Sequence, residues 1–291
     1  MTRLAAALLA VLLLAACAPQ GPTPGTAPVP SRADLVPDTH DGPLTTTGTV
    51  LEDAGHGPQL CVGAVATSYP PQCGGPDVLG FSFDDVPAGA YGAAVDSRWG
   101  HFALTGVVER LGDRDAVRLT APPRPATEPL DPPLVAEFPV DFTTPCPAPA
   151  GGRTEPDPAR AGDDALGSAG AVAPGVPGYT LLWIDEQAPG HRVLNVSTAG
   201  DLAAMESAVR QVWGGALCVS PAQRSEADLA RVREEVEASV APLVLDVQLD
   251  AKAGRVTATA LLARESDQQR LDERYGPGVV RLSSVLRVPS I

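Results

Sequence analysis

Proline divides this chain before any other residue type does. Of 31 prolines in 291 residues, seven fall between Ala18 and Pro43 and fourteen between Pro122 and Pro177. Proline fixes φ and lacks a backbone N–H, so it interrupts helices and is confined to the edges of sheets. Two lengths remain that can bury a core: residues 44 to about 121, and 178 to 291. The division predicts a disordered tether over 17–43, and a small all-β domain with a trailing proline-rich segment over 44–145. It predicts a linker over 146–177, its Gly151 to Gly175 stretch flexible, and an α/β domain over 178–291. Leu134 to Phe142 is expected to add one edge strand in spite of Pro139. No internal repeat is evident.

The first region reads as short strands with turn residues between them: Thr45 to Leu51, Gln59 to Ala66 and Val78 to Phe83. His101 to Leu111 is a longer run that turns at Gly112-Asp113-Arg114-Asp115 into Ala116 to Ala121, with Val107 and Leu119 facing a shared interior. This pattern predicts a small barrel or sandwich.

The second region mixes periods. Gly178 to Asp185 and Arg192 to Ser197 read as strands. Thr198 or Asp201 then caps a helix with apolar positions Leu202, Met205, Val209 and Val212, stopped by Gly214-Gly215. Ala216 to Val219 is a short strand. Ser225 with Asp228 opens a helix bearing Leu229, Val232, Val236 and Val240. Leu243 to Asp250 alternates apolar and polar residues, and Gly254 turns it into Arg255 to Leu262. Ser266 with Gln269 opens a helix to about Tyr275, and Val279 to Val288 is the last strand. The fold class expected is α+β: the β domain, a Pro/Gly-rich linker, and a two-layer α/β domain with an αββαβ segment.

The segment from Ser225 onward, with Gly278-Val279-Val280 leading to Leu286-Arg287-Val288, resembles the BON domain of bacterial envelope proteins. That resemblance implies an envelope or phospholipid-surface role. Trp213 to Val219, Arg274 to Val279 and Pro70 to Gly75 are similar to stretches of secreted actinomycete proteins of unknown function, which supply no catalytic residues.

At the N-terminus, Arg3 precedes an apolar run from Leu4 to Leu14, then Ala15, Ala16 and Cys17. A spanning helix needs about 20 apolar residues, so eleven suit the apolar part of a signal peptide, residues 1–16. Leu14-Ala15-Ala16-Cys17 resembles the lipobox of bacterial lipoproteins. It implies lipidation of Cys17 and anchoring of the body to the cell membrane on its extracytoplasmic face. Acyl chains contribute about 0.8 kcal/mol per buried CH₂, so two or more anchor stably.

The formal charge of −14 becomes −15 once Arg3 is removed. An acidic body repels nucleic acid and anionic headgroups, so nucleic acid is not expected as a partner. The expected partners are the membrane, through the N-terminal lipid, and an envelope protein. Beyond Cys17, four cysteines remain, an even number that suggests disulfides in an exported chain. Three pairings are possible. Cys61–Cys73 is preferred because the two are close in the chain with a Pro70-Pro71 turn between, and Cys146–Cys218 follows by elimination. A metal site of Cys61, Cys73 and His56 is the alternative, without Cys-x-x-Cys spacing to support it.

The motifs of chemistry are missing. There is no Gly-x-Ser-x-Gly elbow, His-Glu-x-x-His or phosphate-binding loop, and the single lysine, Lys252, follows Leu249 by three residues, which excludes a Ser-x-x-Lys site. No cofactor or metal is expected. Asp84 and Asp85 sit beside Phe81 and Phe83, where with Asp53 they would form a carboxylate pair or divalent-ion site; a solvated turn before Pro87 is the reading preferred. Trp99 beside His101 would line a ligand groove, giving Asp84, Asp85, Trp99 and His101 as the candidate site. The function expected is a non-catalytic binding or scaffolding lipoprotein. The alternatives are a carboxylate-dependent hydrolase of wall or exported substrates, and a small-ligand or lipid carrier.

Overall fold

The computed structural model describes residues 34–62, 65–66, 68–126, 141–150, 152–188, 191–239 and 244–289. The signal peptide expected over 1–16, Cys17 and nearly all of the strand expected over 134–142 lie outside the described residues.

Seven strands build the first sheet: β1 (Leu44–Asp53), β2 (His56–Leu60), β3 (Val78–Leu79), β4 (Gly92–Ala94), β5 (Ser97–Leu111), β6 (Arg114–Leu119) and β7 (Arg124–Pro125). β1 is rich in threonine, whose branched Cβ suits extended backbone. The order is β2-β1-β5-β6-β3, with β4 and β7 also on β5, and the sheet does not close into a barrel. β5 is the spine, antiparallel to β1 from Leu44↔Gly106 to Glu52↔Arg98. It buries Phe102 and Leu104 against Val50, Leu60, Val117 and Phe83. Each such side chain contributes about 1.5–3 kcal/mol on burial.

The register corrects one expectation. Val107 pairs with Arg118, and Val108, not Val107, packs on this core with Leu119. Gly106 is required here, since a Cβ on it would lie 2.4 Å from the Arg118 carbonyl oxygen. The strand expected over 59–66 is displaced to His56–Leu60. The one expected over 78–83 ends at Leu79, where Gly80 takes φ +82°, and is followed by a 3₁₀ turn over Phe83–Asp85.

The second region is one arrangement built twice. The first copy is α1 (Asp163–Val172), β8 (Tyr179–Ala188), β9 (His191–Thr198), α2 (Leu202–Arg210) and β10 (Ala216–Pro221). The second is α3 (Glu226–Glu237), β11 (Val244–Asp250), β12 (Arg255–Ala260), α4 (Glu265–Tyr275) and β13 (Val280–Ser284). In each, an antiparallel hairpin is joined through a crossover helix to a third strand parallel to the hairpin's second. The expected αββαβ order from Ser225 is observed, and a second αββαβ unit precedes it. The helix-facing positions explain why the repeat is invisible in sequence: Leu194 and Val196 of β9 correspond to Val256 and Ala258 of β12, and Met205 of α2 to Gln268 of α4.

α1 lies within the stretch expected to be a linker. Ala165, Ala169 and Ala173 recur every four residues and meet β9 and α2, with Ala169 and Ala173 fully buried. Alanine and glycine here permit close approach rather than flexibility, and alanine is the strongest helix former. Just before α1, the Asp157 N–H donates to the Gly214 carbonyl (3.0 Å) and the Gly214 N–H to that of Arg160 (2.7 Å).

The caps follow local chemistry. The Asp201 carboxylate accepts from the N–H groups of Ala203 and Ala204, and the Ser225 hydroxyl from that of Asp228. α2 buries Met205 and Val209 but leaves Leu202 41% exposed. α4 begins two residues earlier than expected, after Arg264 rather than Ser266, because the Asp267 carboxylate accepts the Arg264 N–H at 2.7 Å. Ser266 is therefore inside the helix and not its cap. Gln268 stitches α4 to β13, donating to the Val280 carbonyl (2.9 Å) and accepting from the Leu282 N–H (2.9 Å).

The core of the first sheet is completed from both ends of the chain. Val36, Leu261, Val285 and Leu286, all at most 2% exposed, belong to the same cluster as Phe102 and Leu104. Residues 34–40, expected as tether, instead form a strap on the second αββαβ unit. Val36 donates its N–H to Ala263 (2.9 Å) and accepts from Glu265 (3.2 Å), a parallel bridge to Arg264. β1 is pinned beside it by paired bonds between Thr45 and Arg287.

Candidate functional site

Strand alternation decides whether the four residues expected to form a groove meet. On β5, Gly100, Phe102 and Leu104 are buried and Trp99, His101 and Ala103 are half-buried on the other face. Trp99 lies over Gly92 of β4, where a Cβ would sit 2.8 Å from the indole. Tyr69 meets Trp99 edge-to-face at 5.7 Å and is itself 80% exposed. His101 is on the same face, its Nδ1 3.0 Å from the Thr49 hydroxyl.

Asp84 belongs elsewhere. Its N–H is bonded to the Ser82 hydroxyl in the 3₁₀ turn, and its carboxylate accepts from Arg98 at 2.6 Å. Arg98 also pairs with Glu52 and lies 5.4 Å from the Phe83 ring centroid, in line with the buried face of β5. The aspartates and the Trp99–His101 pair therefore do not share a groove, because 98 and 99 project to opposite sides of one strand. Asp85 is exposed in the same turn. Asp53 does not join the pair: it closes its own turn, accepting from the N–H groups of Gly55 (2.7 Å) and His56 (3.1 Å).

Both preferred disulfides are formed, Cys61–Cys73 with Cα atoms 5.4 Å apart and Cys146–Cys218 with 5.8 Å. Cys61 and Cys73 are thus committed to each other and not to a metal with His56. Among the described residues no group of three or more His, Cys, Asp or Glu is arranged to hold a metal ion.

No family model matches the chain, and no curated protein matches it either.

One cluster escaped the sequence reading. Lys252, the single lysine, projects from the turn between β11 and β12, and its Nζ lies 3.4 Å from the centroid of the Trp183 ring on β8. The turn is held by Arg224, which donates to the Gly254 carbonyl at 3.0 Å. Beside it, the Asp185 carboxylate accepts both the N–H and the hydroxyl of Thr144, and the Trp183 indole N–H donates to the Phe142 carbonyl at 2.8 Å. Burial holds the Lys252 ammonium below the usual lysine range, while the Asp141 carboxylate opposes that shift. Hydrogen bonding from Thr143 holds Asp141 below the usual carboxylate range, helped by Lys252. Only the rarity of lysine in this chain marked the residue out.

Chemically the cluster is a cation over an aromatic face, joining the two αββαβ units. A double-mutant cycle of Lys252→Met and Trp183→Leu, read by urea unfolding, is expected to give a coupling of about 1 kcal/mol. Additive losses would show that the contact contributes nothing.

Proposed function

We propose that this chain is a lipid-anchored protein of the extracytoplasmic face that acts by binding or scaffolding other envelope proteins. The observation that carries the reading is Leu14-Ala15-Ala16-Cys17 closing a short apolar run. Two disulfides support an oxidising compartment. Among the described residues no helix is long and apolar enough to cross a membrane. The pairing of αββαβ units supports an envelope role of the BON kind. Binding is favoured over carboxylate hydrolysis because Asp84 is held by Arg98 and Asp53 by its own turn. The open first sheet, its interior filled by Phe81, Phe83 and Phe102, favours it over a barrel-type carrier.

The test is fractionation. Cys17→Ala is expected to move the protein from the membrane pellet to the soluble fraction, since the lipid is the anchor. Sedimentation of the variant with membranes as complete as the parent's would overturn the anchor. Crosslinking in intact cells then asks whether a partner protein is recovered with the parent.

A further inference from the structure

The strap is held by contacts that read its residue types one after another. Asp34 accepts from Arg281 at 2.8 Å, both side chains less than a fifth exposed, with Arg287 4.0 Å from its other oxygen. Leu35 packs on the core between α3, α4 and their sheet, and Val36 is fully buried in the core of the first sheet. The Val36 backbone pairs with Ala263 and Glu265 as an added strand would. Arg264 donates to the carbonyls of Pro37 (3.1 Å) and His40 (3.2 Å), clasping the turn that the His40 N–H closes on the Pro37 carbonyl (3.0 Å). Asp38 accepts from the N–H (3.1 Å) and hydroxyl (2.6 Å) of Ser266, in the first turn of α4.

These contacts specify a segment with a carboxylate, a buried valine two residues on whose backbone makes one strand-like bridge, and a second carboxylate two residues after that, at the start of a turn. They include three arginines on a chain whose net charge is −14.

We propose that the groove between residues 261–266 and 281–287 is a peptide-recognition site for an Asp-x-Val-x-Asp segment of a partner protein that turns after its valine, and that Asp34–Asp38 is its intramolecular stand-in. The groove requires an occupant, because an empty one exposes the floor under Val36 and leaves Arg281 without Asp34. A partner therefore exchanges with the strap rather than entering a vacant site. The short connection from His40 to Leu44 gives the strap a high effective concentration, so the partner's apparent affinity is reduced by the small fraction of time the groove is open. Charge complementarity selects the partner: an acidic, valine-bearing segment fits, and a basic one is repelled by Arg264, Arg281 and Arg287. The inference rests on the reading of the chain as a binding protein and names its site.

The test uses a fluorescein-labelled peptide of residues 31–41 and the full chain in detergent, read by anisotropy. A chain carrying Asp34→Asn and Asp38→Asn keeps Val36 in the core and weakens only the strap. It is expected to bind the peptide at least tenfold more tightly than the parent. Adding Arg264→Gln and Arg281→Gln is expected to abolish the gain. Equal binding by parent and strap-weakened chain overturns the proposal, as does a gain that survives loss of both arginines. If the strap-weakened chain forms a dimer that excess peptide fails to dissociate, the occupant is a second copy and the partner proposal falls.

Hydrogen exchange on the unaltered chain gives an independent reading should the variant fail to fold. Excess peptide is expected to speed exchange at the Val36 N–H while the Glu265 N–H stays protected by the incoming backbone. An unchanged Val36 rate, or loss of protection at both, overturns exchange of occupants. None of these measurements involves a membrane, so failure of the groove and failure of the Cys17 anchor are separate results.

Discussion

Val36→Asp is expected to remove roughly 4 kcal/mol or more of folding stability, read as a lower urea midpoint with an unchanged slope. Val36 is fully buried between the first sheet and the second αββαβ unit, among Leu261, Val285 and Leu286. A carboxylate there would be cut off from water in an apolar cluster, which is the costly case of an unpaired buried charge. Val36→Ala, which leaves only a small cavity, is expected to cost about 1–2 kcal/mol. The contrast is the decisive part. If residues 34–40 were a solvated tether, both substitutions would be silent. A full-size loss for Asp with a small one for Ala identifies a sealed apolar seat.

Loss of the Cys146–Cys218 disulfide is expected to cost about 4 kcal/mol, measured by thermal or urea unfolding of Cys146→Ala/Cys218→Ala. The two cysteines are 72 residues apart, and closing so long a loop removes much freedom from the unfolded chain. The bridge also joins the segment around Cys146 to β10, where Cys146 packs with Val193 and Ala216. By the same relation, Cys61–Cys73, only 12 residues apart, is expected to contribute about 3 kcal/mol. The ranking is the check: a larger loss at the short loop would mean that chain entropy is not what these bridges act on.

What could be read from the residues depended on whether the information was local. Ser225 with Asp228 named a cap that is present, because a hydroxyl three residues from an N–H needs no other part of the molecule. Met205 and Val209 named the buried side of α2 by period alone. The groove of Asp84 and Trp99 failed because Asp84, in a turn, is held by Arg98, whose side chain projects opposite to that of Trp99 on β5, and no local pattern tells which strand residue a turn carboxylate will meet. The alanines of α1 were misread because composition does not separate a flexible stretch from a closely packed helix. Ser266 seemed a cap until Asp38, more than two hundred residues upstream, claimed its hydroxyl and N–H. Val36 carried no signal at all: one valine among prolines becomes a core residue only when the opposite end of the chain arrives.

That last pairing fixes the order in which the molecule is able to finish itself. Asp34 meets Arg281, and Thr45 meets Arg287, across nearly the whole length of the polypeptide. Contacts so distant in sequence form late, after the intervening loops have closed. A ribosome delivers residue 34 long before residue 286. Until the final segment emerges the structure stays unlatched, so the first sheet acquires its last buried side chains only when synthesis is nearly over.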